Sequence, residues 1–141
     1  MSAQHAAHDT RLLRSGVALF EALIEAVDRA QHEVLLETYI FDFAGAGADV
    51  GHSLVRAAQR GVRVCVVVDG VGTGTLPPEW AQRFDQAGVK CRVYSPLAGL
   101  GFWLPSRWRR LHRKLCVVDQ ALAFCGGINI LDDFIDPNVP G

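Results

Sequence analysis

The feature that most restricts the fold is a threefold alternation of helix-spaced and strand-type segments. Ser15 is suited to N-cap a helix running to about Ala30, with Val17, Phe20, Ile24 and Val27 at helical spacing. Glu33–Phe41 (EVLLETYIF) then reads as a buried-type strand. Asp49–Arg60 reads as a second helix, with Val50, Leu54, Val55 and Ala58 on one side and Gly61 as a C′ glycine. Val62–Val68 is a strongly apolar strand that stops at Asp69-Gly70. Pro77–Ala87 is a third helix ended by Gly88, and Val89–Tyr94 a third strand. The order αβαβαβ calls for parallel strands with right-handed crossovers. Leu111–Val118 and Ala121–Cys125, joined at Asp119-Gln120, read as an antiparallel hairpin added to that sheet. The expected fold class is therefore α/β: a mixed, largely parallel sheet flanked by helices, with the hairpin at its C-terminal end. Residues 1–14 read as a flexible leader and 15–141 as one domain. In such sheets ligands bind beyond the carboxyl ends of the strands, where Phe41-Asp42 and Asp69-Gly70 fall.

Half of the 141 residues are hydrophobic and the net charge is −1, which excludes a disordered chain and a nucleic-acid binder working by bulk charge. Cys65, Cys91, Cys116 and Cys125 sit singly in apolar runs without a C-x2-C pair, as reduced core residues rather than disulfides or a zinc site. No secretory signal and no apolar run of transmembrane length stand out, so the expected location is cytoplasmic, with any membrane contact peripheral. The polar face of the first helix mixes Glu21, Glu25, Asp28 and Arg29, which favours core packing over an interfacial membrane helix. Asp69–Thr75 is glycine-rich but lacks G-K-[S/T], and Pro77-Pro78 starts the next helix too late for a dinucleotide turn. It reads as a flexible loop near the site.

The chemistry concentrates near the C-terminus, in the skeleton H-x-K-x4-D-x6-G-G-x-N formed by His112, Lys114, Asp119, Gly126-Gly127 and Asn129. Two residues apart on an extended strand, His112 and Lys114 leave the same face. An imidazole beside a fixed cation is what attack on a phosphodiester needs. Asp119 falls where the apolar run Leu115–Val118 stops, so it can end the strand and anchor a turn. Gly126-Gly127 lets backbone approach a ligand, and Asn129 offers an amide N–H to a phosphate oxygen. Glu37, a carboxylate inside an apolar strand, either keeps its charge in water at a strand end or faces the site and orders basic groups there. The stretch Ser95–Arg110 interleaves Phe102, Trp103 and Trp108 with Arg107, Arg109 and Arg110, and leads into Arg113 and Lys114. That composition suits anionic lipid head groups or single-stranded nucleic acid, and the sequence leaves both open.

The skeleton resembles the HKD motif of the phospholipase D superfamily. The words Glu-Thr-Tyr-Ile-Phe, Leu-His-Arg-Lys and Ala-Phe-Cys-Gly-Gly-Ile-Asn-Ile are most similar to the first half of bacterial cardiolipin synthases. The resemblance implies a phospholipase D-like half-domain and a two-step phosphodiester exchange through a phosphohistidine, without metal or other cofactor. Carried onto this chain, His112 is nucleophile or acid/base partner, Lys114, Asn129 and Gly127 hold phosphate, and Asp119 is an orienting or structural carboxylate of the catalytic set. Glu37, Arg113 and Arg110 are candidate supporting residues. Gly127 stands where many members have Ser. His5, His8, His32 and His52 lack an H-x-K context, so the chain supplies one motif where the family uses two. The implied function is a phosphatidyltransferase acting on phosphatidylglycerol at a membrane surface, with a second HKD half or a homodimer partner completing the site. Nucleic acid ranks below lipid as a partner. The alternatives are a homodimeric phosphodiesterase or nuclease, and an inactive half-domain that only binds anionic surfaces.

Overall fold

A computed structural model describes residues 9–96 and 110–131. The aromatic-arginine stretch from Leu97 to Arg109, most of the leader and the acidic tail lie outside the described residues. Three helices and five strands follow in the order α1 (Gly16–Arg29), β1 (Glu33–Thr38), α2 (Gly45–Gln59), β2 (Arg63–Asp69), α3 (Pro78–Ala87), β3 (Lys90–Tyr94), β4 (Leu115–Val118) and β5 (Leu122–Cys125). The sheet order is β3-β2-β1-β4-β5, with β1, β2 and β3 parallel and β4 and β5 antiparallel to their neighbours. The expected mixed sheet is thus realised, and the hairpin lies against β1 rather than at the β3 edge. Val34↔Val118 and Glu37↔Leu115 set its register.

Helix ends follow local chemistry. The Ser15 hydroxyl accepts the Ala18 N–H at 3.2 Å and caps α1. Gly88, at φ 84°, closes α3 in the left-handed conformation. The buried stripe of α1 is Phe20, Leu23 and Val27, whereas Val17 is 59% exposed. The stripe is thus rotated from the expected one. Helix α2 begins four residues before the expected Asp49. A Cβ on Gly47 would stand 1.9 Å from the Asp42 carbonyl oxygen, so only glycine lets this turn close against the preceding chain. Glycines that look like helix breakers in the sequence are here the condition for the helix.

Alternation along the strands defines two unlike faces. Val34, Leu36 and Thr38 of β1, Val64, Val66 and Val68 of β2, and Cys116 and Val118 of β4 are buried together with Phe20, Leu23, Val27, Val50, Leu54, Trp80 and Phe84 of the helices. Leu35, Cys65, Val67, Leu115 and Val117 point to the other face and are half-buried. Among the described residues, right-handed crossovers place α2 and α3 on one side of the sheet, with α1 packed on α2. Burial pushes the Cys116 thiol up to about 12 and the Cys91 thiol up to about 11, so both stay protonated at neutral pH. All four cysteines are free, but Cys125 is exposed on β5 and is not the core residue expected.

Candidate active site

The carboxyl ends of β1 and β2 and the segment leading into β4 meet at one edge of the sheet. His112 and Lys114 precede β4, whose hydrogen-bonded part begins only at Leu115. The expected strand from Leu111 is therefore shorter, yet the two side chains still converge. Both meet Tyr39, the first residue past β1. The imidazole of His112 stacks on the Tyr39 ring with centroids 4.7 Å apart and planes 18° apart. The Lys114 ammonium lies 5.7 Å from the centroid of the same ring, and its Nζ donates to the His112 carbonyl oxygen at 3.2 Å. His112 is exposed and Lys114 half-exposed, so both side chains can reach a ligand.

Asn129 arrives from the far side of the hairpin. Its Oδ1 accepts the Ile40 N–H at 3.2 Å, which leaves the amide NH2 to donate elsewhere. Around it, Ile130 N–H donates to the Ile40 carbonyl and Asp42 N–H to the Ile130 carbonyl, at 3.1 and 2.7 Å. A parallel bridge between Phe41 and Ile130 extends this pairing. A Cβ on Gly126 or Gly127 would meet nothing within 4 Å among the described residues, so packing there does not demand glycine. Open backbone beside Asn129 suits an anionic ligand.

Two residues not singled out as site candidates build the frame. Asp69 is fully buried at the end of β2. Its Oδ1 accepts Val71 and Gly72 N–H at 2.8 and 3.2 Å, and its Oδ2 accepts Leu111 N–H at 2.8 Å, directly before His112. Thr73 donates its hydroxyl to the Tyr39 carbonyl at 3.0 Å and accepts the Phe41 N–H at 2.9 Å. The glycine-rich loop is thus pinned at both ends rather than flexible. Tyr39 falls inside the expected strand Glu33–Phe41, but the strand ends at Thr38 and frees its ring to meet His112 and Lys114.

The remaining candidates separate from this group. The Arg110 guanidinium is turned inward, 3.8 Å from Asp69 and donating to the Ser95 carbonyl at 3.2 Å, so it braces the frame. Arg113 lies 3.7 Å from Glu37, beyond hydrogen-bond range, with its side chain 75% exposed. Register places Glu37 beside Leu115 on the sheet's other face, and it makes no described contact with His112 or Lys114. Asp119, expected as an orienting or structural carboxylate, takes the structural place. It sits at the opposite end of β4, which alone spans roughly 13 Å at about 3.3 Å per residue. There its carboxylate accepts the N–H groups of Gln31, His32 and Glu33 at 2.8, 2.8 and 2.9 Å. Those bonds, from Glu33 first, then Gln31 and His32, hold its pKa below the usual aspartate value. A carboxylate so placed fastens the hairpin to the start of β1 and does not touch the imidazole.

A comparison with protein families decides what kind of domain this is. The description "Cardiolipin synthase, PLD-like domain" matches residues 23–138. The chain belongs to this family. It is 37% identical over 119 residues to cardiolipin synthase B of Escherichia coli K12, covering 84% of this chain and 29% of that protein. Against cardiolipin synthase 1 of Bacillus anthracis it is 31% identical over 127 residues, covering 89% of this chain and 25% of that protein. This PLD-like domain therefore spans less than a third of the length of the curated relatives it matches. Its fold is similar to that of NucT from Helicobacter pylori, with TM-score 0.59 at 19% identity over 79% of this chain and 67% of that chain. Nuc from Salmonella typhimurium, a phospholipase D family member, gives TM-score 0.56 at 23% identity over 79% of this chain and 64% of the other. Among the described residues no helix of the PLD-like domain is long and apolar enough to cross a membrane.

Proposed function

We propose that this PLD-like domain supplies one half of the active site of a phosphatidyltransferase that joins two molecules of anionic glycerophospholipid. The donor is phosphatidylglycerol, and the acceptor is a glycerol hydroxyl of a second lipid. The observation that carries this reading is the convergence of His112 and Lys114 on Tyr39 beside the Asn129 amide. A family relationship to cardiolipin synthases supports the substrate class.

In the first step an imidazole nitrogen of His112 attacks phosphorus, and the P–O bond to the headgroup glycerol breaks. The leaving oxygen takes a proton from a second, protonated histidine. In the second step that histidine removes the proton of the acceptor hydroxyl, the hydroxyl oxygen attacks phosphorus, and the P–N bond to His112 breaks. Lys114 and the Asn129 NH2 face the charge that builds on the non-bridging oxygens, where fixed donors lower the barrier most. The two imidazoles must begin each step in opposite protonation states. Neither His32 nor His52 provides the second one. His32 adjoins the Asp119 anchor at the far end of β4, and His52 packs 4.9 Å from the Trp80 ring on α2. Among the described residues, then, none supplies the second histidine; in this reading another HKD half does so, and lipid is met at the membrane surface from the aqueous side.

The test is incubation of the 141-residue chain, and of the product of the reading frame that contains it, with phosphatidylglycerol vesicles. Cardiolipin and free glycerol should form with the reading-frame product and vanish in His112→Asn. Absence of cardiolipin, or a fully active His112→Asn protein, overturns the reading. Hydrolysis of a simple phosphodiester by a dimer of the chain, without transfer, would favour a homodimeric phosphodiesterase.

A further inference from the structure

We infer that Tyr39 is a positioning residue of the phosphate site, its ring serving as the common platform that fixes the His112 imidazole relative to the Lys114 ammonium. The inference rests on reading His112 and Lys114 as the phosphate-handling pair, and it adds a residue that the motif does not contain. Both side chains are long or exposed and lose rotamer freedom only if something holds them. The stack at 4.7 Å is the described side-chain contact of His112. Lys114 contacts the same ring at 5.7 Å, within the range in which a cation is attracted to an aromatic face.

The platform itself is immobilised through its backbone rather than its hydroxyl. Thr73 holds the Tyr39 carbonyl at 3.0 Å and the Phe41 N–H at 2.9 Å. A Cβ on Gly72 would stand 2.4 Å from the Tyr39 carbonyl oxygen and 3.0 Å from its ring, so the glycine-rich loop presses directly on this residue. The next residue, Ile40, binds the Asn129 side chain through its N–H. One short segment thus sets the relative positions of imidazole, ammonium and amide. A residue that merely filled space would have no reason to meet both polar groups with one ring. Because the described contacts use the ring, phenylalanine should serve and an aliphatic residue of similar bulk should not.

The experiment follows the His112 imidazole protons and the Lys114 Cε protons by NMR in the 141-residue chain, assigned with His112→Asn and Lys114→Gln, while inorganic phosphate is titrated. Wild type and Tyr39→Phe should show both signals displaced upfield by the ring current, and should bind phosphate within about two-fold of each other. Tyr39→Leu should lose both displacements and bind phosphate about tenfold more weakly, with amide signals of the core residues Leu54 and Val64 unchanged. Undisplaced signals in the wild type overturn the platform whatever the variants do. Tyr39→Leu binding as well as wild type, or Tyr39→Phe failing as badly as Tyr39→Leu, overturns it too. Displaced wild-type signals with no response to phosphate count against the phosphate-site reading rather than against the stack.

Discussion

The two ends of β4 carry the two ends of one motif, and they are built by opposite rules. At the Asp119 end, a carboxylate takes three backbone N–H groups and the Asp119 N–H donates to the Glu33 carbonyl at 2.9 Å. Beside it, buried Glu33 pairs with Arg63 and accepts from Gln120 at 2.9 Å. At the His112 end, an exposed imidazole and a half-exposed ammonium rest against one aromatic ring. Donors and acceptors satisfied inside the protein stabilise it and are closed to a ligand. Groups left with spare hydrogen-bonding capacity contribute little to stability and can act on phosphate. The motif therefore combines a fastener and the proposed reactive pair, held apart by four strand residues.

Substitutions should divide along the same line. The largest effect on turnover is expected from His112→Asn, a loss of at least about four orders of magnitude if the imidazole is the nucleophile. Because the lost contact is one aromatic stack, stability should change by no more than about 1.5 kcal/mol, measurable by urea denaturation. Lys114→Gln should lower turnover by roughly 10²–10³-fold, as loss of one fixed donor to a developing oxyanion does elsewhere. At the other end the signs reverse. Asp119→Ala leaves three N–H groups without their acceptor and should lower the melting temperature by several degrees, while turnover per folded molecule stays near wild type. Equal loss of turnover per folded molecule in Asp119→Ala would break the comparison.

Acid should act through the same anchor. Glu33 is held below its ordinary pKa by Gln120 first and then by Arg63, and Asp119 by its backbone donors. A carboxylate with a depressed folded pKa contributes stability that is present above its unfolded value. That contribution fades as pH falls through the folded value. Resistance to thermal unfolding should therefore weaken as pH drops below about 4, the ordinary carboxylate range, and Asp119→Asn should flatten that dependence. The smallest effect is expected at Arg113. Its distant, largely exposed contact with Glu37 makes Arg113→Ala worth no more than about 0.5 kcal/mol by chemical denaturation.

Much of this was legible in the residues. The alternation of helix-spaced and apolar segments specified the parallel strands, and the H-x-K pair marked the end of the sheet where the candidate site lies. Asp119 was legible as the terminator of an apolar strand. What the one-dimensional pattern could not carry were contacts made across the fold. The acceptors' partners Gln31, His32 and Glu33 lie 86 to 88 residues from Asp119, and Asp69 reaches 42 residues to Leu111. Gly47 and Gly72 owe their presence to carbonyl groups of neighbouring segments, which no local propensity records. Tyr39 escaped for the same reason: its neighbours along the chain are Thr38 and Ile40, but the side chains that meet its ring lie on the approach to β4.

The separation of fastener from reactive pair is tested most directly by trapping the phosphoenzyme. The reading-frame product is mixed with phosphatidylglycerol labelled in its phosphate, quenched in alkali, and scored for label per folded molecule. Wild type and Asp119→Asn should carry comparable label, and His112→Asn none. Label that disappears in a folded Asp119→Asn protein, or persists in His112→Asn, contradicts the account.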